Sequence, residues 1–213
     1  MTRRILNSLL WATAIVATGS VLVLYDPALM AAYRSIAPRS QSIETLANFL
    51  TGLYEPYMLL VFAALYAVVV PVLRWRRFAV LFGAMLTQAL LIDFLKHVFS
   101  RVRPDGVPAG VFLGPQWHEW QHSFPGGHAA AAFALAAIIG AWHPRLRWAV
   151  YLFAFLVALA RIQLNRHYFG DCFIGGWLGY WVAQCFLTYA KPTLQPAAEM
   201  SPASVEARVA ESD

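Results

Sequence analysis

Charged residues are scarce in this chain. They make up 13% of the 213 residues, whereas 60% of the side chains are hydrophobic. An average soluble protein has about 25% charged residues, so the composition excludes an ordinary soluble domain and indicates an integral membrane protein. The net charge of +5 comes from 16 basic and 11 acidic residues. The basic residues form short clusters between apolar runs, which favours topology signals and anion ligands and argues against nucleic acid as a partner.

Cysteine is also nearly absent. Cys172 and Cys185 lie 13 residues apart in one apolar run. In a helix this separation is about 20 Å, too far for a disulfide bond. The sequence therefore excludes a disulfide framework and gives no information on the redox compartment.

Apolar runs dominate what is present. Six are each long enough to cross a bilayer as a helix, and they span approximately Ile5–Tyr25, Pro56–Leu73, Phe78–Phe99, Pro125–Trp142, Arg147–Leu164 and Gly170–Tyr189. The pattern predicts an all-α fold, a polytopic membrane bundle of six transmembrane helices. The first run also has features of a signal peptide, namely a basic start and small residues near Ala17 to Ser20. Its continuation to Tyr25 favours a retained spanning helix.

The segment between the first two runs has helical periodicity. Apolar residues recur there at helical spacing, namely Ile43, Leu46, Ala47, Leu50 and Leu53. This pattern predicts an interfacial helix along the membrane surface. The fourth run is rich in alanine, and the sixth contains Gly175, Gly176 and Gly179. Because small residues let helix backbones approach closely in lipid, these two helices are expected to pack together.

Basic residues predict the orientation of the bundle. One side is marked by Arg3, Arg4, Arg74, Arg76, Arg77, Arg145, Arg147 and Lys191. The positive-inside rule then places both termini in the cytoplasm and the candidate site residues on the periplasmic side. After Lys191 the composition changes to proline, alanine, serine and glutamate. We expect one membrane domain over residues 1–191 and a disordered cytoplasmic tail over residues 192–213.

The segment RIQLNRHYFGD, residues 161–171, combines an arginine, a histidine and an aspartate at a membrane boundary. If the chain is helical from Tyr168, His167 and Asp171 lie one turn apart. The carboxylate is then able to accept a hydrogen bond from one ring nitrogen, and the other nitrogen is free to attack. Arg161 offers a planar set of donors to an anionic substrate.

Two further segments contain polar residues at the same boundary. In KHVFSRVRP, Lys96 and Arg103 are cations placed where charge is costly in lipid, and snorkelling of boundary side chains is the alternative interpretation. In SFPGGH, Pro125 and two glycines open a helix whose free N–H groups favour a phosphate. His128 follows in the first turn, in position to give a proton to a leaving oxygen.

Together these segments match a phosphate with two negative charges and an in-line displacement at phosphorus. Acidic residues are too few to favour a two-metal phosphatase site. One alternative is zinc proteolysis, because HEWQH, residues 118–122, fits a zinc protease pattern. That motif needs a stable helix, whereas this segment is short and lies between Pro115 and Pro125, so an aromatic interfacial loop is favoured.

The ordered motifs K-x6-RP, PGGH and R-x5-H-x3-D resemble those of the type 2 phosphatidic acid phosphatase superfamily, which includes the vanadium haloperoxidases. The family pattern is KxxxxxxRP, PSGH and SRxxxxxHxxxD. The resemblance covers a catalytic core of about residues 96–171. Two positions depart from the pattern, because Gly126 and Ala160 stand where the family has serines. Each missing hydrogen bond to a charged group costs about 1.5–3 kcal/mol.

The resemblance also implies roles for individual residues. It implies that His167 attacks phosphorus to form a phosphohistidine, that Asp171 orients His167, and that His128 is the general acid. Phosphate oxygens are expected to be bound by the three cations and the glycine turn, namely Lys96, Arg103, Arg161, Gly126 and Gly127. The resemblance implies no metal and no cofactor.

The implied function is a lipid phosphatase in the cytoplasmic (inner) membrane that works on the periplasmic side. Its partners are the bilayer and a phosphorylated lipid, of which undecaprenyl diphosphate, phosphatidylglycerol phosphate, phosphatidate and the lipid A phosphates are all compatible. One alternative is a lipid phosphotransferase with the same site, and another is a non-catalytic lipid-binding protein. The sequence leaves the oligomeric state open.

Overall fold

The computed structural model describes residues 2–37, 40–53, 74–117 and 122–194. Within these ranges the chain forms helices and no strand, which confirms the predicted all-α class. The helices are α1 (Thr2–Ile36), α2 (Gln41–Gly52), α3 (Arg74–Phe99), α4 (Gly127–Trp142), α5 (Arg147–Gln163) and α6 (Phe169–Leu194). A 3-10 turn, Pro144–Leu146, joins α4 to α5.

Five of the six predicted apolar runs fall on helices. The second run, Pro56–Leu73, and the tail beyond Leu194 lie outside the described residues. The predicted end of the first run at Tyr25 is wrong, because α1 continues through Asp26 and Pro27 to Ile36. Asp26 is fully buried and paired inside the bundle, so its charge does not end the helix. The last helix also continues past Tyr189, to Leu194, so the predicted start of the tail at residue 192 is wrong.

Three helical segments are long and apolar enough to cross a membrane, Thr13–Ile36, Trp75–Phe99 and Pro144–Gln163. The segment Gly127–Trp142 is a shorter apolar helix. Large apolar side chains are exposed on these helices, among them Trp75, Leu90, Phe94, Trp148 and Leu152. Surfaces of this kind are typical of helices that face lipid.

Helix α2 forms where the periodicity predicted a helix. Ser40 caps it, since its side chain accepts a hydrogen bond from the Ile43 N–H, at 3.3 Å. Ala47 and Thr51 are buried, and the helix packs against α5.

Helix α4 lies at the centre of the described bundle and contacts α3, α5 and α6. The predicted packing of α4 against α6 is confirmed, because α6 presents glycines to the α4 backbone. A Cβ atom on Gly179 would lie 1.9 Å from the Ala130 carbonyl oxygen, and one on Gly175 would lie 2.3 Å from the Gly126 carbonyl oxygen. Only glycine therefore permits this approach, which places the start of α4 beside the start of α6.

Candidate active site

The three sequence segments meet at one end of the bundle. The Lys96 ammonium, near the end of α3, lies 3.7 Å from the position of a Cβ on Gly127, the first residue of α4. His128 is within electrostatic range of the second histidine, His167. It is also within range of three cations, Arg161, Lys96 and Arg103. The ends of α3 and α5 and the starts of α4 and α6 thus surround one site.

The loop between α3 and α4 is held by backbone pairing. Isolated antiparallel bridges join Arg101 to Phe112 and Val102 to His122. The Ser123 N–H donates to the Arg101 carbonyl at 2.7 Å. This pairing fixes the segment just before the glycine turn against the segment that carries Arg103.

His167 lies in the turn before α6 and is 1% exposed. The predicted hydrogen bond from its ring to Asp171 is wrong. Nδ1 lies 2.7 Å from the Ser123 carbonyl oxygen and 3.9 Å from Asp171 Oδ2. The reason is the start of the helix, because α6 begins at Phe169 and leaves His167 outside the helical turn.

The Ser123 carbonyl determines which ring nitrogen of His167 carries the proton. A carbonyl oxygen only accepts hydrogen bonds, so Nδ1 is the protonated nitrogen and Nε2 keeps its lone pair. Burial lowers the pKa of His167 to about 4, although the Asp171 carboxylate acts in the opposite direction. At neutral pH the ring is therefore uncharged, with Nε2 free to act as a nucleophile.

Asp171 is fully buried in the first turn of α6. Its Oδ2 accepts hydrogen bonds from the Ser123 hydroxyl and from the Tyr168 N–H, the latter at 2.9 Å. The second bond is a helix cap, since a carboxylate at the third helical position reaches back to the N-cap amide. The carboxylate is thus fixed beside the His167 ring as a charge, without a direct hydrogen bond.

Sequence reasoning assigned no role to two further buried groups, Arg101 and Asp26. Arg101 is 1% exposed, and its Nη1 lies 2.7 Å from Asp26 Oδ2 and 2.6 Å from Asp171 Oδ1. Its guanidinium also lies over the Tyr168 ring, 4.1 Å from the ring centroid. Removal of one partner from such a buried pair costs about 3–5 kcal/mol. This ion network connects α1 to the loop and to α6.

A signal for this network was present in the sequence. Asp26 follows the apolar run of α1 directly, and an ionisable residue inside a spanning helix is a functional hypothesis by default. Arg101 stands between Lys96 and Arg103, two cations that the sequence places at the site. Its pairing with carboxylates from two distant segments depends on the tertiary fold.

The start of α4 presents amides to the site. The Gly126 N–H already donates to the Asp171 carbonyl at 2.9 Å, so the expectation that it donates to phosphate does not fit this geometry. The first helical hydrogen bond is that of the Ala130 N–H with the Gly126 carbonyl, so the amides of Gly127, His128 and Ala129 precede it. These amides lie where a helix start favours an anion.

The departure from serine at position 126 has a steric explanation. A Cβ on Gly126 would lie 3.0 Å from the Asp171 carbonyl oxygen and 3.3 Å from the Cys172 Cα. A serine there requires the first turn of α6 to shift by a few tenths of an ångström. The glycine thus permits the close contact between the starts of α4 and α6.

The cations Lys96 and Arg103 form no ion pair with any carboxylate in the described ranges. Arg103 Nε is buried and has no hydrogen-bond partner there. Lys96 and Arg103 are like charges within electrostatic range of each other at the start of α4, so they repel one another until an anion binds. The arrangement fits a phosphate group.

The HEWQH segment is described only at His122, because residues 118–121 lie outside the described residues. His122 is edge-on to His97, whose ring stacks on Trp117. Within the described part of the chain, no group of three or more histidine, cysteine, aspartate or glutamate side chains is placed to hold a metal ion.

An apolar cavity of about 640 Å³ lies between α1, α4, α5 and α6. Its lining includes Leu22, Phe133, Leu159 and Trp177. It also includes Cys172, the chain neighbour of Asp171. The cavity thus borders the first turn of α6, which also carries Asp171.

Comparison with known proteins supports a family assignment. The sequence profile of the PAP2 superfamily matches residues 77–193. The lipid A 1-phosphatase of Porphyromonas gingivalis is 34% identical over 114 aligned positions, which cover 48% of this chain and 22% of that protein. The lipid A 1-phosphatase of Rhizobium johnstonii is 31% identical over 106 positions, covering 48% of this chain and 43% of that protein. The match thus spans less than half the length of these relatives.

Two solved structures share the fold. A transmembrane PAP2-type phosphatidylglycerolphosphate phosphatase from Bacillus subtilis superimposes with a TM-score of 0.65 at 21% identity, covering 84% of this chain and 96% of that chain. LpxE of Aquifex aeolicus gives a TM-score of 0.61 at 22% identity, covering 76% and 93%. At these identities the likeness concerns the fold alone.

Proposed function

Because the chain belongs to the PAP2 superfamily, we propose that it is an integral membrane phosphatase that removes phosphate from a membrane lipid through a phosphohistidine intermediate. The observation that carries the proposal is the fixed tautomer of His167, whose Nδ1 donates to the Ser123 carbonyl. This leaves Nε2 as a nucleophile among the cations of the site. A lipid substrate is supported by the relatives that are lipid A 1-phosphatases.

In the first step Nε2 of His167 bonds to phosphorus, and the bond from phosphorus to the ester oxygen breaks on the opposite side. His128 gives the leaving oxygen a proton, so the lipid departs as an alcohol, or as a phosphate from a diphosphate. In the second step His128 takes a proton from water, and the water oxygen attacks phosphorus. The N–P bond then breaks and inorganic phosphate leaves.

The phosphate is held by charge and by backbone. In this proposal Lys96, Arg103 and Arg161 bind the non-bridging oxygens, and the Gly127 N–H at the start of α4 adds a donor. Gly126 contributes by its small size, because its own amide is bound to Asp171. Asp171 stabilises the positive charge that develops on the His167 ring from 3.9 Å. Side chains and backbone groups of the chain fill every role in this scheme, so it requires no metal and no cofactor.

The apolar cavity is proposed to hold one acyl chain of the substrate lipid. It reaches Cys172 beside the site, and Leu159 and Phe133 line it. A chain that lies between helices next to the phosphate site would anchor the lipid so that only its headgroup enters the cation cluster.

The membrane arrangement belongs to the same proposal. We place six spanning helices in the cytoplasmic membrane, with the segment Pro56–Leu73 as the second, and α2 along the membrane surface. Both termini then face the cytoplasm and the site faces the periplasm. One domain extends from the first residue through α6, with its catalytic core over residues 96–171, and a disordered tail follows.

The experiment that tests the proposal is phosphate release by the purified protein in detergent with EDTA present. The panel contains a lipid A 1-phosphate, undecaprenyl diphosphate, phosphatidylglycerol phosphate and phosphatidate, with His167→Ala as the matched variant. We expect release from at least one lipid, with lipid A ranked first, and none by the variant. Transfer of phosphate to an added lipid without release favours the phosphotransferase alternative, and loss of activity in EDTA favours a metal enzyme.

A further inference from the structure

One nitrogen of Arg101 connects two carboxylates from distant parts of the chain. Its Nη1 lies 2.7 Å from Asp26 Oδ2 and 2.6 Å from Asp171 Oδ1, and all three side chains are at most 1% exposed. This nitrogen carries two hydrogens, so each carboxylate accepts one. The three groups together carry one net negative charge.

Asp26 is held from two sides. Its Oδ1 accepts the Gly170 N–H at 2.9 Å, so it contacts the first turn of α6 as well as the loop. A Cβ on Gly170 would lie 2.7 Å from Asp26 Oδ2, which shows how closely α1 approaches this turn. The steps proposed above do not use this carboxylate.

His167 is surrounded mainly by positive charge. Asp171 of α6 faces it, and so do Lys96 of α3, Arg161 of α5 and His128 of α4. Arg101 lies behind Asp171 in the loop, and Asp26 of α1 lies behind Arg101. The ring gains positive charge when Nε2 bonds to phosphorus, because Nδ1 keeps its proton. That charge needs a nearby negative group that is not itself neutralised.

We propose that Asp26 is a positioning residue which neutralises Arg101, so that the charge of Asp171 remains effective towards His167. Without Asp26, Arg101 and Asp171 form a neutral pair, and the His167 ring faces an excess of cations. Asp26 acts through Arg101 and touches neither the substrate nor the reacting atoms. The inference rests on the proposed function, since it assumes that His167 is the nucleophile.

The test compares the pH profile of the full-length wild type with that of Asp26→Asn on one lipid. We expect kcat of the variant to fall about tenfold. We also expect the acid limb of its profile, the fall of kcat/KM at low pH, to move about one pH unit lower. These magnitudes are those of one charge removed at an effective dielectric constant of about 20. The acid limb moves to lower pH because a more positive surrounding disfavours protonation of the His167 ring. We expect KM to stay within about twofold, since Asp26 does not contact the substrate.

The matched control is Tyr33→Phe, also on α1. The Tyr33 hydroxyl donates to Gln163 Oε1, so this variant removes an uncharged connection between α1 and the site segment. We expect its acid limb to coincide with that of the wild type. The substrate titrates identically with every variant, so a difference between profiles belongs to the enzyme.

A second pair of variants keeps the test decisive if Asp26→Asn accumulates poorly. Arg101→Gln leaves two carboxylates and is expected to move the acid limb to higher pH. The double variant Asp26→Asn/Arg101→Gln restores one net negative charge and is expected to return the limb towards that of the wild type. Identical limbs for the wild type, Asp26→Asn and Arg101→Gln would overturn the inference.

The two proposals fail in different ways. An active wild type, an inactive His167→Ala and an Asp26→Asn profile like that of Tyr33→Phe contradict only the role of Asp26. Absence of phosphate release by the wild type, or full activity of His167→Ala, contradicts the proposed function and this inference with it.

Discussion

At the scale of single residues, the environment of His167 determines the chemistry that the site can perform. The side chain is buried, its Nδ1 is bound to the Ser123 carbonyl, and burial lowers its pKa to about 4. An imidazole with a depressed pKa remains neutral in weakly acidic solution, where an exposed histidine is half charged.

The lowered pKa has a consequence for stability. Between about pH 6.5 and pH 4 the unfolded chain binds a proton at His167 that the folded chain does not, so stability falls as the pH is lowered. Relative to His167→Gln, the wild type is expected to lose up to about 1.4 kcal/mol per pH unit in this window. Thermal unfolding in detergent at several pH values measures the difference. A constant difference between the two proteins would show that His167 titrates normally.

The proposed role of His128 as general acid leads to a separate prediction about the leaving group. If it protonates the departing oxygen, His128→Gln lowers kcat about 100-fold or more for a lipid alcohol. For p-nitrophenyl phosphate, whose leaving group needs no proton, the loss is expected to stay below about tenfold. Steady-state rates on the two substrates measure the ratio. Equal losses on both would assign His128 to phosphate binding instead.

Sequence patterns predicted which residues form this site better than they predicted the contacts between those residues. Motif spacing placed Lys96, His128 and His167 together, and the structure brings them to one end of the bundle. The predicted hydrogen bond between His167 and Asp171 was wrong because it depended on the residue at which α6 begins. Helix ends are set by capping, here by the bond from the Tyr168 N–H to Asp171. Such details are the least predictable from sequence.

At the scale of helices, apolar periodicity and small residues predicted most of what the described ranges show. The contact between α4 and α6 follows from Gly175 and Gly179, because any Cβ there overlaps the α4 backbone. The extension of α1 to Ile36 was not predicted. A charged residue such as Asp26 indicates the end of an apolar helix unless its pairing with Arg101 is known. A pairing across 75 positions has no local signal in the sequence.

The cavity between the helices leads to a prediction about substrate length. Leu159→Trp places an indole in the cavity, where it would compete with an acyl chain. We expect kcat/KM for a long-chain lipid phosphate to fall about tenfold, which corresponds to a loss of about 1.4 kcal/mol of binding free energy. Activity on p-nitrophenyl phosphate is expected to be unchanged. Kinetics on the two substrates measure the effect.

The control for this substitution is Leu152→Trp, two turns earlier on α5, where the side chain is exposed on the surface of the bundle. We expect it to behave as the wild type on both substrates. If Leu159→Trp lowers activity on both substrates equally, it has disturbed the site and gives no support to an acyl chain in the cavity.

At the scale of the whole molecule, exposed apolar helices carry a polar site at one end. The helices face outwards with side chains such as Trp148 and Phe94, and the buried ions and histidines gather where α3, α4, α5 and α6 meet. This distribution fits a protein that takes a substrate from the bilayer and reacts at its surface. The orientation remains a prediction from the arginines.

Cysteine labelling in cells measures the orientation. Val107 is 95% exposed in the loop beside the site, and Arg145 is exposed in the turn between α4 and α5. With Cys185→Ala as background, we expect a membrane-impermeant maleimide to label Val107→Cys from the periplasm. Arg145→Cys is expected to react only after the cytoplasmic membrane is permeabilised. The reverse pattern would place the site in the cytoplasm.

The measurement that tests covalent histidine catalysis most directly is rapid quenching of the enzyme with a ³²P-labelled lipid phosphate. We predict a protein-bound label that is labile in acid, stable in alkali and located on the peptide containing His167. The label is expected to be absent in His167→Asn. Release of inorganic phosphate without any trapped label, or a label that persists in His167→Asn, would contradict a phosphohistidine at this residue.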